Sequence, residues 1–163
     1  TVFCAARKVW HDRTKEAAAA GARIEEVRPG YLGVVQSRAK GYATTRRVRL
    51  LPFGLDTPVI LDGLRSVALS LDITPKEVWT VAGSGTLSRA LQAAWPAARF
   101  FAVRVGKACD AGRATVLIAP ERFEDDAKYP PPFPSCLGYD AKAWRFVQRR
   151  ASKGALFWNV AKG

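Results

Sequence analysis

Short runs of β-forming residues alternate with amphipathic segments almost from one end of this chain to the other, and few folds accept that pattern. Strands separated by helices do not pair as hairpins. They are expected to lie parallel, with the helices crossing over the faces of the sheet. TVFCAA (1–6) reads as the first strand, followed by a helix from Asp12, whose carboxylate can cap free N–H groups, to Gly21, which suits the left-handed residue after AAAA. ARIEEV (22–27) is a second strand. YLGVVQSRAKGYA (31–43) is a second helix, with Leu32, Val35, Ala39 and Tyr42 recurring on one face.

RVRLL (47–51) alternates as a third strand does and is closed by Pro52 and Gly54. From Ile60 the spacing of Leu61, Leu64, Ala68 and Leu71 marks a third helix. In ITPKE (73–77), Thr74, Pro75 and Glu77 form a helix-start pattern with room for one turn. VWTVA (78–82) is almost wholly apolar, as expected of a central strand buried on both faces. The next helix carries Leu87, Ala90, Leu91 and Ala94 on one side and stops at Pro96. RFFAVRV (99–105) and ATVLIA (114–119) supply two more strands. Residues 120–139 are polar, Pro-rich and aperiodic, and read as a long ordered loop. A helix from Asp140, which reads as its cap with a substrate contact as the alternative, turns Trp144, Val147 and Ala151 inward and Arg145, Arg149 and Arg150 outward; ALFWNV (155–160) ends the series as a strand.

The expectation is a three-layer, Rossmann-like α/β fold with a mainly parallel sheet. With 163 residues, 48% of them apolar, the chain is long enough for one domain with a real core. Within that domain, 1–45 form a small-domain-like unit, 46–119 a core, 120–139 the loop and 140–163 the closing helix and strand.

In open parallel sheets, ligands bind beyond the carboxyl ends of the strands. Gly83, Ser84, Gly85 and Thr86 occupy such a place, between the apolar strand and its helix. Glycines admit a close anion, and the first N–H groups of a helix and its dipole favour negative charge. Ser84, Thr86 and Ser88 can add hydroxyl donors, and Arg89 a full charge. Arg7 and Lys8, just after the first strand, are further candidate anion contacts. A tight structural turn is the alternative reading. The run lacks the Lys of a P-loop and the third glycine of a dinucleotide fingerprint.

Net charge narrows the choice of ligand, because 26 Lys and Arg face 14 Asp and Glu, a formal +12. An anionic partner follows: a small phosphorylated molecule or nucleic acid. Arg46, Arg47 and Arg49 alternate with apolar residues, and Arg145, Arg149 and Arg150 share a helix with Trp144, so basic residues stand beside aromatics as they do in nucleic-acid binders. No helix is basic on one side and continuously apolar on the other, so a membrane surface is not expected. Cys4, Cys109 and Cys136 are odd in number and widely spaced, which suggests reduced thiols in the cytoplasm and no metal site. His11, beside Trp10 and Asp12, reads as a surface or capping residue. The first residue is Thr rather than Met, from which an upstream piece is expected.

From RVRLLPFG through VWTVAGSGTLSRALQAAWPAARFFAVRVG, the order of elements resembles the phosphate-binding half of the fold-type II pyridoxal-phosphate enzymes, the cysteine synthase and tryptophan synthase β group. That family places a Gly-Ser/Thr-Gly-Gly-Thr cradle between strand and helix; the segment before it, TVFCAARKVWHDRTKEAAAAGARIEEV, looks like the family's mobile small-domain unit. The resemblance covers about two thirds of the chain. It implies a pyridoxal-phosphate cofactor bound at Gly83, Ser84, Gly85 and Thr86 and lyase or transferase chemistry on an amino-acid-derived or nucleotide-like substrate; a homo-oligomer is compatible with the sequence, which does not fix the oligomeric state. One glycine stands between Ser84 and Thr86 where the family has two. No lysine matches the Schiff-base position by motif; Lys8 is the nearest stand-in. The type I phosphoribosyltransferases offer a second resemblance through strand, Gly-Thr loop and helix, but Thr80, Val81 and Ala82 stand where they place an acidic pair.

Overall fold

The computed structural model describes residues 1–6, 8–10 and 12–160. Contacts divide the chain into two compact units, Thr1–Phe53 and Gly54–Gly163, eight residues beyond the division expected after residue 45. Each contains its own sheet, and every strand pair is parallel.

In the first unit β1 (Val2–Ala5) pairs with β2 (Ile24–Val27), from Val2 opposite Ile24 to Ala5 opposite Val27. Between them runs α1 (Asp12–Ala19), released at Gly21 with a left-handed φ of +87°. Helix α2 (Leu32–Arg46) lays the expected face on the sheet, where the Tyr42 ring meets Phe3 edge-on at 5.4 Å. It continues three residues past its expected end, and the third strand expected over 47–51 does not form. Arg47 takes the left-handed conformation (φ 52°) and its N–H closes the helix onto the Ala43 and Thr44 carbonyls. Alternation alone makes no strand without an edge to pair with; Val48, Leu50 and Leu51 stay 51%, 40% and 61% exposed. Val27 and Ala43 are the buried apolar side chains of this unit, a small core.

The second unit has strand order β5-β4-β3-β6. Its centre is β3 (Glu77–Ala82), buried at all six positions, the expected 78–82 among them, with β4 (Arg99–Arg104) on one side and β6 (Leu156–Phe157) on the other; β5 (Thr115–Ile118) lies outside β4. On one face α3 (Pro58–Leu69) and α4 (Thr86–Ala94) bring Ala68, Leu91 and Ala94 onto Val78 and Phe100. Opposite, a 3-10 turn (Asp140–Ala143) and α5 (Trp144–Arg150) press Ala143 and Val147 against Trp79, Val81 and Val103. The arrangement is three-layer α/β, with Trp144 on the inward stripe as its spacing indicated.

Three local features depart from expectation. Helix α3 starts at Pro58 because Thr57 Oγ1 accepts from the Ile60 N–H at 3.4 Å, a cap with proline in the first turn that the apolar spacing alone did not reveal. Thr74 and Pro75 start no helical turn, and Glu77 already belongs to β3, where its carboxylate collects hydrogen bonds at the strand's entrance. Asp140 is not the cap; it lies fully buried inside the 3-10 turn, and Tyr139 precedes it at the N-cap position.

The Pro-rich stretch is irregular but tied down. Lys142, 1% exposed, donates from Nζ to the carbonyls of Arg122 (2.8 Å) and Phe123 (3.1 Å), so a buried ammonium is satisfied by the loop it holds. Ser135 donates to Asn159 Oδ1 at 2.7 Å, and Asn159 Nδ2 donates to the Pro134 carbonyl at 2.9 Å. No described helix is long and apolar enough to cross a membrane.

Candidate functional site

The carboxyl end of β3 delivers Gly83 to Thr86 to the N-terminus of α4, where Gly85 sits at the N-cap in the left-handed region (φ +86°). Backbone crowding demands glycine here: an added Cβ would lie 1.8 Å from the Asp110 carbonyl oxygen. Ser84 Oγ and Thr86 Oγ1 stand 3.0 Å apart, and the Thr86 N–H points to Ser84 Oγ at 3.4 Å. Two hydroxyls therefore meet at the positive end of a nine-residue helix.

Three neighbouring segments enclose this turn. The backbone at Gly54 (φ +72°) runs so close to Ser84 that an added Cβ would be 2.3 Å from its hydroxyl. The Tyr139 ring covers Gly83, whose N–H donates to the phenol oxygen. Burial, with the nearby Asp140 carboxylate adding, pushes the Tyr139 phenol up to about 12 despite that N–H. The third segment, 110–113, is latched to α4. Ser88 Oγ donates to the Ala111 carbonyl at 3.0 Å, Gln92 Nε2 donates to the same oxygen at 2.7 Å, and the Arg113 N–H donates to Gln92 Oε1 at 2.8 Å.

This geometry sorts the candidate contacts. Gly83, Ser84, Gly85 and Thr86 form the turn itself. Ser88 is committed to Ala111 and turns no hydroxyl toward the turn. Arg89 spends its guanidinium on Asp56 and on Asp110, at 3.2 Å to the Asp110 carboxylate and 2.6 Å to its carbonyl. One cation between two carboxylates leaves no net positive charge for a ligand. Lys8 is exposed in the first unit, and Arg7 and His11 lie outside the described residues.

Sequence reasoning missed Asp110, Asp56 and Gln92, and it noticed Tyr139 beside Asp140 and Lys142 without its place over Gly83, since nothing local announces a partner on a distant loop. Cys109 carries only a redox argument in the sequence; its thiol lies 4.0 Å from the Ala82 carbonyl, and burial pushes its pKa up, against the opposing charge of Arg104 and Arg89. A thiol kept protonated in this way is a poor nucleophile.

A tyrosinate band that disappears in Tyr139→Phe is expected to emerge near pH 12 in an alkaline absorbance titration. A phenol whose folded pKa exceeds its ordinary 10 stabilises the fold fully below pH 10, and that contribution is lost as pH rises through about 12. Appearance of the band at pH 10 would show that the phenol is not enclosed.

No family model matches the chain, and no curated protein does. Among solved structures the chain is similar to a threonine deaminase from T.th., with 17% identity and a TM-score of 0.42 over 88% of this chain and 49% of that one. The chain thus spans about half the length of that structure, and a likeness of this extent assigns no family.

Proposed function

We propose that the turn Gly83–Thr86 binds the phosphate group of a small ligand. The observation that carries this reading is the pair of hydroxyls, Ser84 and Thr86, meeting at the N-terminus of α4 just beyond the carboxyl end of the central strand. With Arg89 neutralised by Asp56 and Asp110, the anion is held by hydroxyls, backbone N–H groups and the helix dipole rather than by a formal charge. Affinity is accordingly modest, and it falls only weakly with salt.

Pyridoxal phosphate belongs to this ligand class, and the Gly-Ser-Gly-Thr run resembles the cradle that holds its phosphate in the fold-type II enzymes. The hydroxyl pair fits the phosphate end. The aldehyde end is not matched: Lys142, the buried lysine of the second unit, already gives its ammonium to the Arg122 and Phe123 carbonyls. The reading therefore stops at phosphate binding, and the lyase or transferase chemistry implied by the resemblance is assigned to no residue.

Titrating the ¹⁵N-labelled protein with inorganic phosphate, pyridoxal phosphate and pyridoxal tests this. Amides of residues 83–86 should shift saturably with both phosphate-bearing ligands and not with pyridoxal. Ser84→Ala combined with Thr86→Ala should weaken binding at least about tenfold, since each hydrogen bond to an anion contributes about 1.5 kcal/mol or more. Equal responses to pyridoxal and its phosphate, or still amides at tens of millimolar phosphate, would sink the proposal. A borohydride-reducible band with pyridoxal phosphate would extend it to Schiff-base chemistry.

A further inference from the structure

Positive charge is unevenly distributed along this chain. Thr1–Phe53 holds eleven Lys and Arg against four Asp and Glu, so the smaller unit carries +7 of the total +12. Within it, residues 28–53 contain six basic side chains and no acidic one. All six, Arg28, Arg38, Lys40, Arg46, Arg47 and Arg49, are exposed, and among the described residues none meets a carboxylate within 4 Å. In the second unit Arg89, Arg99, Arg122 and Arg145 are each paired with Asp or Glu, while its own acid-free stretch, residues 141–160, exposes Arg149, Arg150 and Lys153 and so offers three cations for comparison.

Four of the six lie along or at the end of α2, whose other face is fixed by the Phe3–Tyr42 contact and the burial of Ala43. Arg38 and Lys40 project from its middle; at its end Arg46, exposed, lies over the Tyr42 ring at 6.0 Å on the edge of the packed side, Arg47 closes the helix, and Arg49 follows. At 1.5 Å per residue, Arg38 to Arg47 spans about 14 Å, enough to face several phosphates of a strand. Between these cations the solvent side of α2 presents Ser37, Gly41, Thr44 and Thr45, short residues that let a polyanion approach and offer hydroxyl donors.

We infer that the exposed face of α2, continued through Arg49, binds the phosphodiester backbone of nucleic acid without reading its sequence. The juxtaposition that carries this is five exposed cations, Arg38, Lys40, Arg46, Arg47 and Arg49, on and just after one helix, with no carboxylate within 4 Å among the described residues. An anionic membrane fits less well. A helix lying in a bilayer interface needs a large apolar side opposite its basic one, and the apolar side of α2 is already packed on β1 and β2. Val48, Leu50 and Leu51 are exposed, but they follow the helix in an irregular segment and lie on no helical face.

Binding of the intact protein to a fluorescein-labelled 30-bp mixed-sequence DNA duplex, followed by anisotropy from 50 to 200 mM salt, tests the inference. Five neutralised phosphates give a log–log slope of about −4.5, an affinity loss of about five-hundredfold across that range. Arg46→Ala, Arg47→Ala and Arg49→Ala together should flatten the slope by about 2 to 3. An equal removal of charge from the other unit, Arg149→Ala, Arg150→Ala and Lys153→Ala, should leave the slope within about 1 of the parent. Thermal melts of both triple variants check that each is folded.

No binding at 50 mM salt overturns the inference. So does an equal loss in both variants, which would mean that net charge alone attracts DNA. Binding to phosphatidylserine vesicles without binding to the duplex would replace nucleic acid by a membrane surface. None of these results depends on Ser84 or Thr86, so this inference and the phosphate-loop reading stand or fall separately.

Discussion

Gly85→Ala is expected to lower the stability of the second unit by about 4 kcal/mol, measured as a shift in the urea midpoint with the transition slope unchanged. Alanine in the left-handed region costs about 1 kcal/mol by itself. The larger part is steric, because the new methyl would lie 1.8 Å from the Asp110 oxygen and 2.5 Å from its carbonyl carbon, and neither is a flexible side-chain tip. Segment 110–113 has to move. That movement strains the Ala111 carbonyl's bonds to Ser88 and Gln92, buried hydrogen bonds whose loss costs about 1–3 kcal/mol each. A midpoint within experimental error of the parent would mean that the loop yields freely and that Gly85 is not fixed by packing.

Glu77→Ala is expected to cost about 3 kcal/mol, at the opposite end of the same strand. The carboxylate is 3% exposed, and burial alone would raise its pKa. Hydrogen bonds from Trp79 Nε1 (2.7 Å), the Ser152 N–H (2.9 Å) and the Ser152 hydroxyl (2.8 Å), with Arg99 at 2.9 Å, more than offset this and hold the pKa below the ordinary 4.5. A group whose pKa is depressed by folding adds stability that is complete above its unfolded value and lost as pH falls through its folded one. Wild-type stability should therefore decline below pH 4.5, while Glu77→Gln removes this component of the decline. Parallel pH curves for the two proteins would show that the carboxylate does not act in this way.

The central unit of strand, turn and helix was legible because each local signal agreed with its neighbours. VWTVA is apolar enough to be buried on both faces, the glycines break the strand, and Leu87 to Ala94 repeat at helical spacing. RVRLL shows where local signals end. Its alternation suits a strand, yet the segment pairs with no described strand and stays exposed, and no pattern within 47–51 can record whether an edge is available to it. The candidate site divides in the same way. Gly85 was visible as a glycine at the right place. The neutralisation of Arg89 was not, since Asp56 and Asp110 reach it from separate loops.

The pairing of β6 with β3 also bears on how the protein is made. Ser152 and Glu77 are 75 residues apart, and β6 follows Ser152 in the chain. At about 5–20 residues per second, a ribosome needs roughly 4–15 s to travel that distance. Throughout that interval the nascent chain presents a six-residue, mostly apolar strand with at least one edge unpaired and a carboxylate still short of at least two of its donors. Slow decoding between residues 82 and 152 prolongs that vulnerable state, so codon choice in this interval is expected to govern how much newly made chain reaches the folded sheet instead of aggregating.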